Sequence, residues 1–229
     1  MSHWSDTLAV FDLETTGVDV STARIVTAHV GVIDASGAPL ESWSWLADPG
    51  VEIPAGATAV HGITTERARA EGRPAAEVVA ELVDALRTLL ARPLPLVVYN
   101  APYDLSLLRH EARRHGVEPL ADPAPVVDPL VIDKAVDRYR KGKRTLEAAA
   151  AHYGVVLTGA HDAAADAIAA GRVAQALARK HEAALPDDLA ALHGAQMSWH
   201  DQQCDSFEDY MRRERDHRFT ADRGWPTRV

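Results

Sequence analysis

Residues 10–19 read VFDLETTGVD. Two carboxylates, Asp12 and Glu14, stand two apart in an apolar run. TLAVF (residues 7–11) is apolar and bounded, which predicts a buried strand continuing through Glu14. Residues i and i+2 of a strand project to the same face, so the two acids lie side by side. In apolar surroundings a pair of unpartnered carboxylates must either take up protons or carry a heavy desolvation cost. A hard divalent cation such as magnesium or manganese, which prefers oxygen ligands, relieves that cost. A hydrated strand end would explain the same spacing with no metal at all.

Outward from this strand, RIVTAHVGVID (24–34) is β-branched and roughly alternating, SGAP (36–39) reads as a turn, and LESWSWLA (40–47) alternates again. Together they predict a three-stranded antiparallel meander. DPGVEIPAGATAVHGIT is rich in Pro and Gly and reads as loop. Residues 74–91 carry Val78, Val79, Leu82, Leu86, Leu89 and Leu90 at helical spacing, with Pro74 suited to the first turn. LPLVVYN predicts a short strand, YDLSLLRHEARRHG a helix stopped by Gly116, and APVVDPL another strand. Two or three helices then run to about residue 180. Strands followed by strand–helix alternation predict a mixed α/β sheet covered by helices.

From about residue 184 the character changes. Trp199, Phe207, Tyr210, Phe219 and Trp225 make up five of the chain's thirteen aromatics. Disordered tails are usually poor in aromatics. The expectation is therefore a domain over residues 1–183 and a helical extension over 184–229 that packs back on it.

The formal net charge of −9 argues against unspecific coating of long nucleic acid, which phosphate neutralisation drives. It leaves room for an enzyme whose bound cations face phosphate. No apolar run reaches the roughly 18–20 residues that cross a bilayer. The opening MSHWSDTLAV lacks a basic-then-apolar leader pattern, and the lone Cys204 makes no internal disulfide, so a cytoplasmic location is expected.

Two further segments carry acids. VVYNAPYDLSLL places Asp104 just past a strand, near a helix start, where an acid can equally serve the helix dipole. GAHDAAADAIAAG places His161 at a loop–helix boundary and Asp166 five residues on, among alanines small enough to let that helix approach a strand. Each segment alone has an ordinary explanation. In order, however, FDLETTGVD, VHGIT, NAPYDLSLL, VVDPL, TLEAAAAHYGV and HDAAADA resemble the DEDDh superfamily of 3′→5′ exonucleases, and the proofreading epsilon-subunit group in particular. The resemblance covers about residues 8–180. It departs mildly, with Tyr103 and Thr27 standing where phenylalanine and glutamate are common.

The resemblance implies a ribonuclease H-like fold and two divalent metal ions, Mg2+ or Mn2+. It implies that Asp12 bridges both metals, that Glu14 and Asp166 complete the site for the metal binding the attacking water, and that Asp104 holds the other. His161 would be the general base, a role suited to imidazole because its ordinary pKa lies near operating pH. Thr15, Thr16 and Gly17 would contact the terminal sugar and phosphate, with His61 against the terminal nucleotide and Asn100 and Tyr103 as walls. Arg140, Lys141, Lys143 and Arg144 form the best local basic patch and could track phosphates, or be a solvated face. Asp128 reads as a structural strand-end residue. QMSWH (196–200) is faintly like a glutamine-led clamp-docking peptide, but a core or surface helix fits it better. The expected activity is hydrolysis of DNA 3′ ends, single-stranded or frayed, releasing nucleoside monophosphates in proofreading, repair or trimming. Trimming of RNA or short oligonucleotides, or non-catalytic binding of nucleic-acid ends as a polymerase accessory, remain as alternatives.

Overall fold

Alternation along the first strand sets the layers. Leu8 and Val10 point into one core, and Ala9, Phe11 and Leu13 into the other. In the computed structural model of the protein, which describes residues 3–228, this strand is β1 (Leu8–Thr15). It pairs antiparallel with β2 (Ile25–Ile33), which pairs antiparallel with β3 (Pro39–Asp48). The β2–β3 turn closes through Asp34 N–H to Ala38 O at 2.9 Å, with Gly37 at a φ of 79° that favours glycine. β4 (Arg73–Pro74) adds in parallel at the far edge of β3. On its other side β1 pairs in parallel with β5 (Leu96–Val97), and β5 with β6 (Val126–Val127). The sheet order is β4-β3-β2-β1-β5-β6.

The segment expected to be a loop, residues 48–64, holds the seven-residue helix α1 (Ala55–His61), and a second seven-residue helix, α2 (Thr65–Glu71), starts directly after it. Its Pro and Gly residues bound the helices rather than prevent them. Pro54 precedes α1, Gly62 closes it at a φ of 76°, and the Thr64 hydroxyl caps α2 by accepting from Arg67 N–H. α3 (Ala75–Leu90) buries the face its spacing predicts. Pro74 sits one residue earlier than expected, as the cap rather than inside the first turn. Leu82, Leu86 and Leu89 are fully buried, each contributing about 1.5–3 kcal/mol. With α4 (Ala101–Arg114) this helix covers the Phe11 face of the sheet.

The Val10 face is covered by α5 (Pro129–Val136), α6 (Leu146–Tyr153) and α7 (Ala163–Lys180). α7 lies close because it is lined with small residues. A Cβ on Gly171 would meet Ile33 Cδ1 at 2.6 Å and Val10 Cγ1 at 2.7 Å, so glycine is required there. α8 (Leu189–Glu214) follows and packs on α5 and β6. Leu192 is buried, and Trp225 beyond the helix inserts among α4 and sheet side chains. Gln196, which opens the clamp-like QMSWH, is fully buried, donating to Val126 O and accepting from Asp128 N–H. It is a core residue and is withdrawn from any docking role. Among the described residues no helix is long and apolar enough to cross a membrane.

Candidate active site

Period-two alternation carries Leu8 and Val10 onward to Asp12 and Glu14, so the face that begins apolar under α7 ends acidic. Gly171 seats α7 on Val10. Asp166 lies five residues up the helix, roughly 7.5 Å, and Asp12 two residues along the strand, roughly 6.6 Å. The close approach at Gly171 therefore brings the two carboxylates face to face. Asp104 arrives from the neighbouring parallel strand. β5 leads into Asn100, held in the left-handed region at a φ of 66°, and α4 then starts. Asp128 fixes that start, its carboxylate accepting from Asn100 N–H at 3.0 Å and Ala101 N–H at 2.9 Å. Asp104 thus stands at the carboxyl end of the parallel strands, the usual place for ligands in such sheets.

The four carboxylates Asp12, Glu14, Asp104 and Asp166 line one cleft of about 580 Å³. Burial and mutual repulsion hold their protons. Asp12 is pushed well above the usual carboxylate range by burial first, then by Asp104, Glu14 and Asp166. Glu14 is pushed up to about 8, by burial, Asp166 and Asp162. Asp104 and Asp166 are raised as well, burial being the largest cause for each. The buried Oδ1 of Asp166 has no hydrogen-bond partner among the described residues. One ligand atom each from Glu14, His161 and Asp166 lie within 4.8 Å of one another. Four carboxylates, one with an orphaned buried oxygen and none ion-paired to a lysine or arginine among the described residues, fit hard divalent cations.

His161 stands at the mouth with its backbone at a φ of 67° and its side chain 46% exposed. Its N–H donates to Asp166 Oδ2 at 3.2 Å, and Asp162 next to it caps α7. Its Nε2 lies 3.6 Å from Glu147 Oε1 on α6. Glu147 was not singled out from the sequence. Fourteen residues separate it from His161, and no helical or strand period links them.

The other site candidates divide. Thr15 Oγ1 and Tyr103 OH are 2.6 Å apart, and both hydroxyls bond to Gly17 O, so Tyr103 in the cleft wall ties down the end of β1 and the turn behind it. Thr16 Oγ1 accepts from Arg24 N–H at 2.9 Å and is committed to the strand-to-loop turn. His61 closes α1 with Nδ1 accepting from Ile63 N–H; its Nε2 is buried and unpaired among the described residues. Asn100 and Tyr103 line the cleft. Of the basic patch, Lys143 and Arg144 line the cleft, but Arg140 and Arg144 both turn inward to Asp133, at 2.6 and 2.7 Å. Lys141 is exposed and outside the cleft lining. Tyr99, Leu130 and Lys134 complete much of the remaining wall.

The sequence profile of the RNase_T exonuclease family matches residues 9–174, which hold Asp12, Glu14, Asp104, His161 and Asp166. The chain belongs to this DEDDh exonuclease family. The family is one of exonucleases. The chain is 31% identical over 167 residues to a "DNA polymerase III subunit epsilon-like protein" of Rhodobacter capsulatus, covering 71% of this chain and 22% of that one. Among solved structures it resembles a zinc-bound complex of Escherichia coli exonuclease I with single-stranded DNA, at a TM-score of 0.65 and 22% identity. That match covers 78% of this chain and 42% of the other. Exonuclease I of Methylocaldum szegediense matches at a TM-score of 0.62 and 23% identity, over 78% and 41% of the two chains. The fold is thus the ribonuclease H-like one expected from the sequence. The chain spans about a fifth of its curated relative and about two fifths of these structures.

Proposed function

We propose that the protein is a two-metal 3′→5′ exonuclease that removes nucleoside monophosphates from the 3′ ends of DNA. The observation that carries this reading is the convergence of Asp12, Glu14, Asp104 and Asp166 in one cleft, none of them ion-paired to a lysine or arginine among the described residues, with His161 at the rim. The bound cations would activate the attacking water and stabilise the leaving oxygen of the phosphodiester. Asp12, Glu14 and Asp166 would hold one ion and Asp12 with Asp104 the other. His161 takes the proton from the attacking water, and Glu147 beside Nε2 steadies the imidazolium that results. Thr15 and Gly17, locked by Tyr103, present backbone and hydroxyl groups to the terminal nucleotide. His61 supports the same role, because its buried Nε2 has no hydrogen-bond partner among the described residues. The Escherichia coli relative, described with both zinc and single-stranded DNA, supports a metal and a strand end as the ligands.

The test is degradation of matched 5′-labelled single-stranded DNA and RNA with magnesium or manganese. A descending ladder on DNA, abolished by EDTA, is the expected result. His161→Ala should slow it roughly 10²–10⁴-fold while leaving metal binding in place. A ladder confined to RNA would replace the substrate, and activity persisting in EDTA would overturn the mechanism.

A further inference from the structure

The carboxylate cleft continues into a second groove. Lys134 and Arg144, which line the cleft, also line a groove of about 850 Å³ between α5, the 137–145 loop and α8. Its chemistry is the reverse of the cleft's. One wall carries Lys134, Arg138, Arg140 and Arg144. Asp133 beneath is shared by Arg140 and Arg144, which leaves Lys134 and Arg138 without an ion-pair partner among the described residues. Asp205 on the opposite rim is held by Arg223 at 2.7 Å. The other wall is α8, which presents Trp199, Phe207 and Tyr210. Phe207 and Tyr210 are 50% and 45% exposed, unusual for rings that a protein ordinarily buries. Phe207 is steadied by an edge contact with Phe219, centroids 5.3 Å apart. Cations beside open aromatic faces are out of character for a chain of formal net charge −9. α8 also lies beyond residue 174, where the family match ends.

We propose that this groove binds the single-stranded stretch upstream of the 3′ terminus, its phosphates along Lys134 and Arg138 and its bases stacked on Phe207 and Tyr210. The proposal rests on the exonuclease reading for the position of the terminus. Stacking platforms beside a cationic track are the general solution for holding single strands without sequence preference. Phosphates and base faces are common to DNA and RNA, so the groove takes either sugar. Its consequence is a dependence on strand length that the carboxylate cleft alone does not create.

The experiment uses the full chain, Phe207→Ala/Tyr210→Ala and, as a second variant at an exposed position, Arg138→Glu. Fluorescence anisotropy in calcium, which supports little hydrolysis, reads the affinity for 5′-labelled oligo-dT and oligo-U strands of three and of sixteen nucleotides. The native chain should bind the long strand at least ten-fold more tightly than the short one. The aromatic variant should lose roughly ten-fold on the long strand. Arg138→Glu should weaken the salt dependence by roughly one phosphate's worth of slope. Equal affinity for both lengths, or variants that keep the full preference, would overturn the groove. Turnover in magnesium separates the two ideas. Hydrolysis of both lengths with no length preference sinks the groove alone. The binding pattern intact with no hydrolysis of any strand sinks the nuclease reading and keeps the groove.

Discussion

Two sets of sunken carboxylates lie within this molecule, and they are opposites. Asp133 is fully buried, yet Arg140, Arg144 and the Tyr153 hydroxyl all bond to it, at 2.6, 2.7 and 2.7 Å. Burial pushes its pKa up, and these partners more than reverse the push, leaving it below the ordinary carboxylate value. Asp128 is likewise fully buried and accepts from three backbone amides and the Trp225 indole, which pull its pKa down against burial without cancelling the rise. Asp12, Glu14, Asp104 and Asp166 also sit low in the fold, but there burial and repulsion win and every pKa is raised. The difference teaches that burial alone does not mark a functional acid. What marks it is charge that the protein's own donors leave unanswered.

The largest effect expected from breaking this contrast is on activity at Asp12. Asp12→Asn removes the carboxylate that touches both proposed cation positions, and several kcal/mol of transition-state stabilisation with it, roughly a 10³-fold loss or more. The same change removes a carboxyl whose burial and acidic neighbours oppose its ionisation, so the metal-free protein should melt at an equal or higher temperature. A lowered melting temperature with activity kept would put Asp12 in the same class as Asp133. At Asp133 the sign reverses. Asp133→Asn strands two arginines whose side chains are only 9% and 15% exposed, and breaking such a pair costs roughly 3–5 kcal/mol. Urea midpoints measure it; a shift below about 1 kcal/mol would show that Asp133 is not a keystone.

How much of this contrast was legible in the sequence depends on how far each relation reaches. Period-two alternation through Asp12 and Glu14 and the helical spacing of α3 are local, and both elements follow the expected pattern. α1 lies in a segment read as loop because a seven-residue helix bounded by Pro54 and Gly62 leaves only punctuation to read. The four acids could be grouped only by their order along the chain, since nothing local states that Gly171 lets α7 touch Val10. The basic patch was read as one stripe. Residues 133, 140 and 144 lie across a helix end and a loop with no period, so the inward turn of Arg140 and Arg144 left no signal. Glu147 beside His161 and Trp225 beside Asp128 are contacts of the same long-range kind.

A smaller effect sharpens the comparison through pH. Glu14, with a folded pKa of about 8 against an ordinary 4.5, keeps a proton in the folded state that it loses in the unfolded one. The metal-free protein binds more protons when folded throughout that window, so its stability falls as pH rises from about 4.5 to about 8 and levels off beyond. Magnesium needs the ionised carboxylates and competes with those protons. Its addition should therefore raise the melting temperature more at pH 8 than at pH 5.5. Scans with and without magnesium at the two pH values read this directly, and an equal rise at both would mean that the cleft acids are already ionised without metal.

The smallest effect tests whether the two sets are coupled. Trp225 Nε1 donates to Asp128 Oδ2 at 3.4 Å, and the same oxygen receives Ala101 N–H at the start of the helix that carries Asp104. A satisfied acid thus sets the position of an unsatisfied one, through a tryptophan outside the family match. Trp225→Phe keeps most of the packing and deletes one donor, which should cost about 1 kcal/mol of stability. If Asp128 positions Asp104, kcat should also fall a few-fold while KM holds, and Trp225→His, which can still donate, should recover part of it. A stability loss with kcat unchanged in both variants would confine Trp225 to the core and leave the start of α4 to the backbone amides alone. The three amides that remain on Asp128 are why the expected change is small.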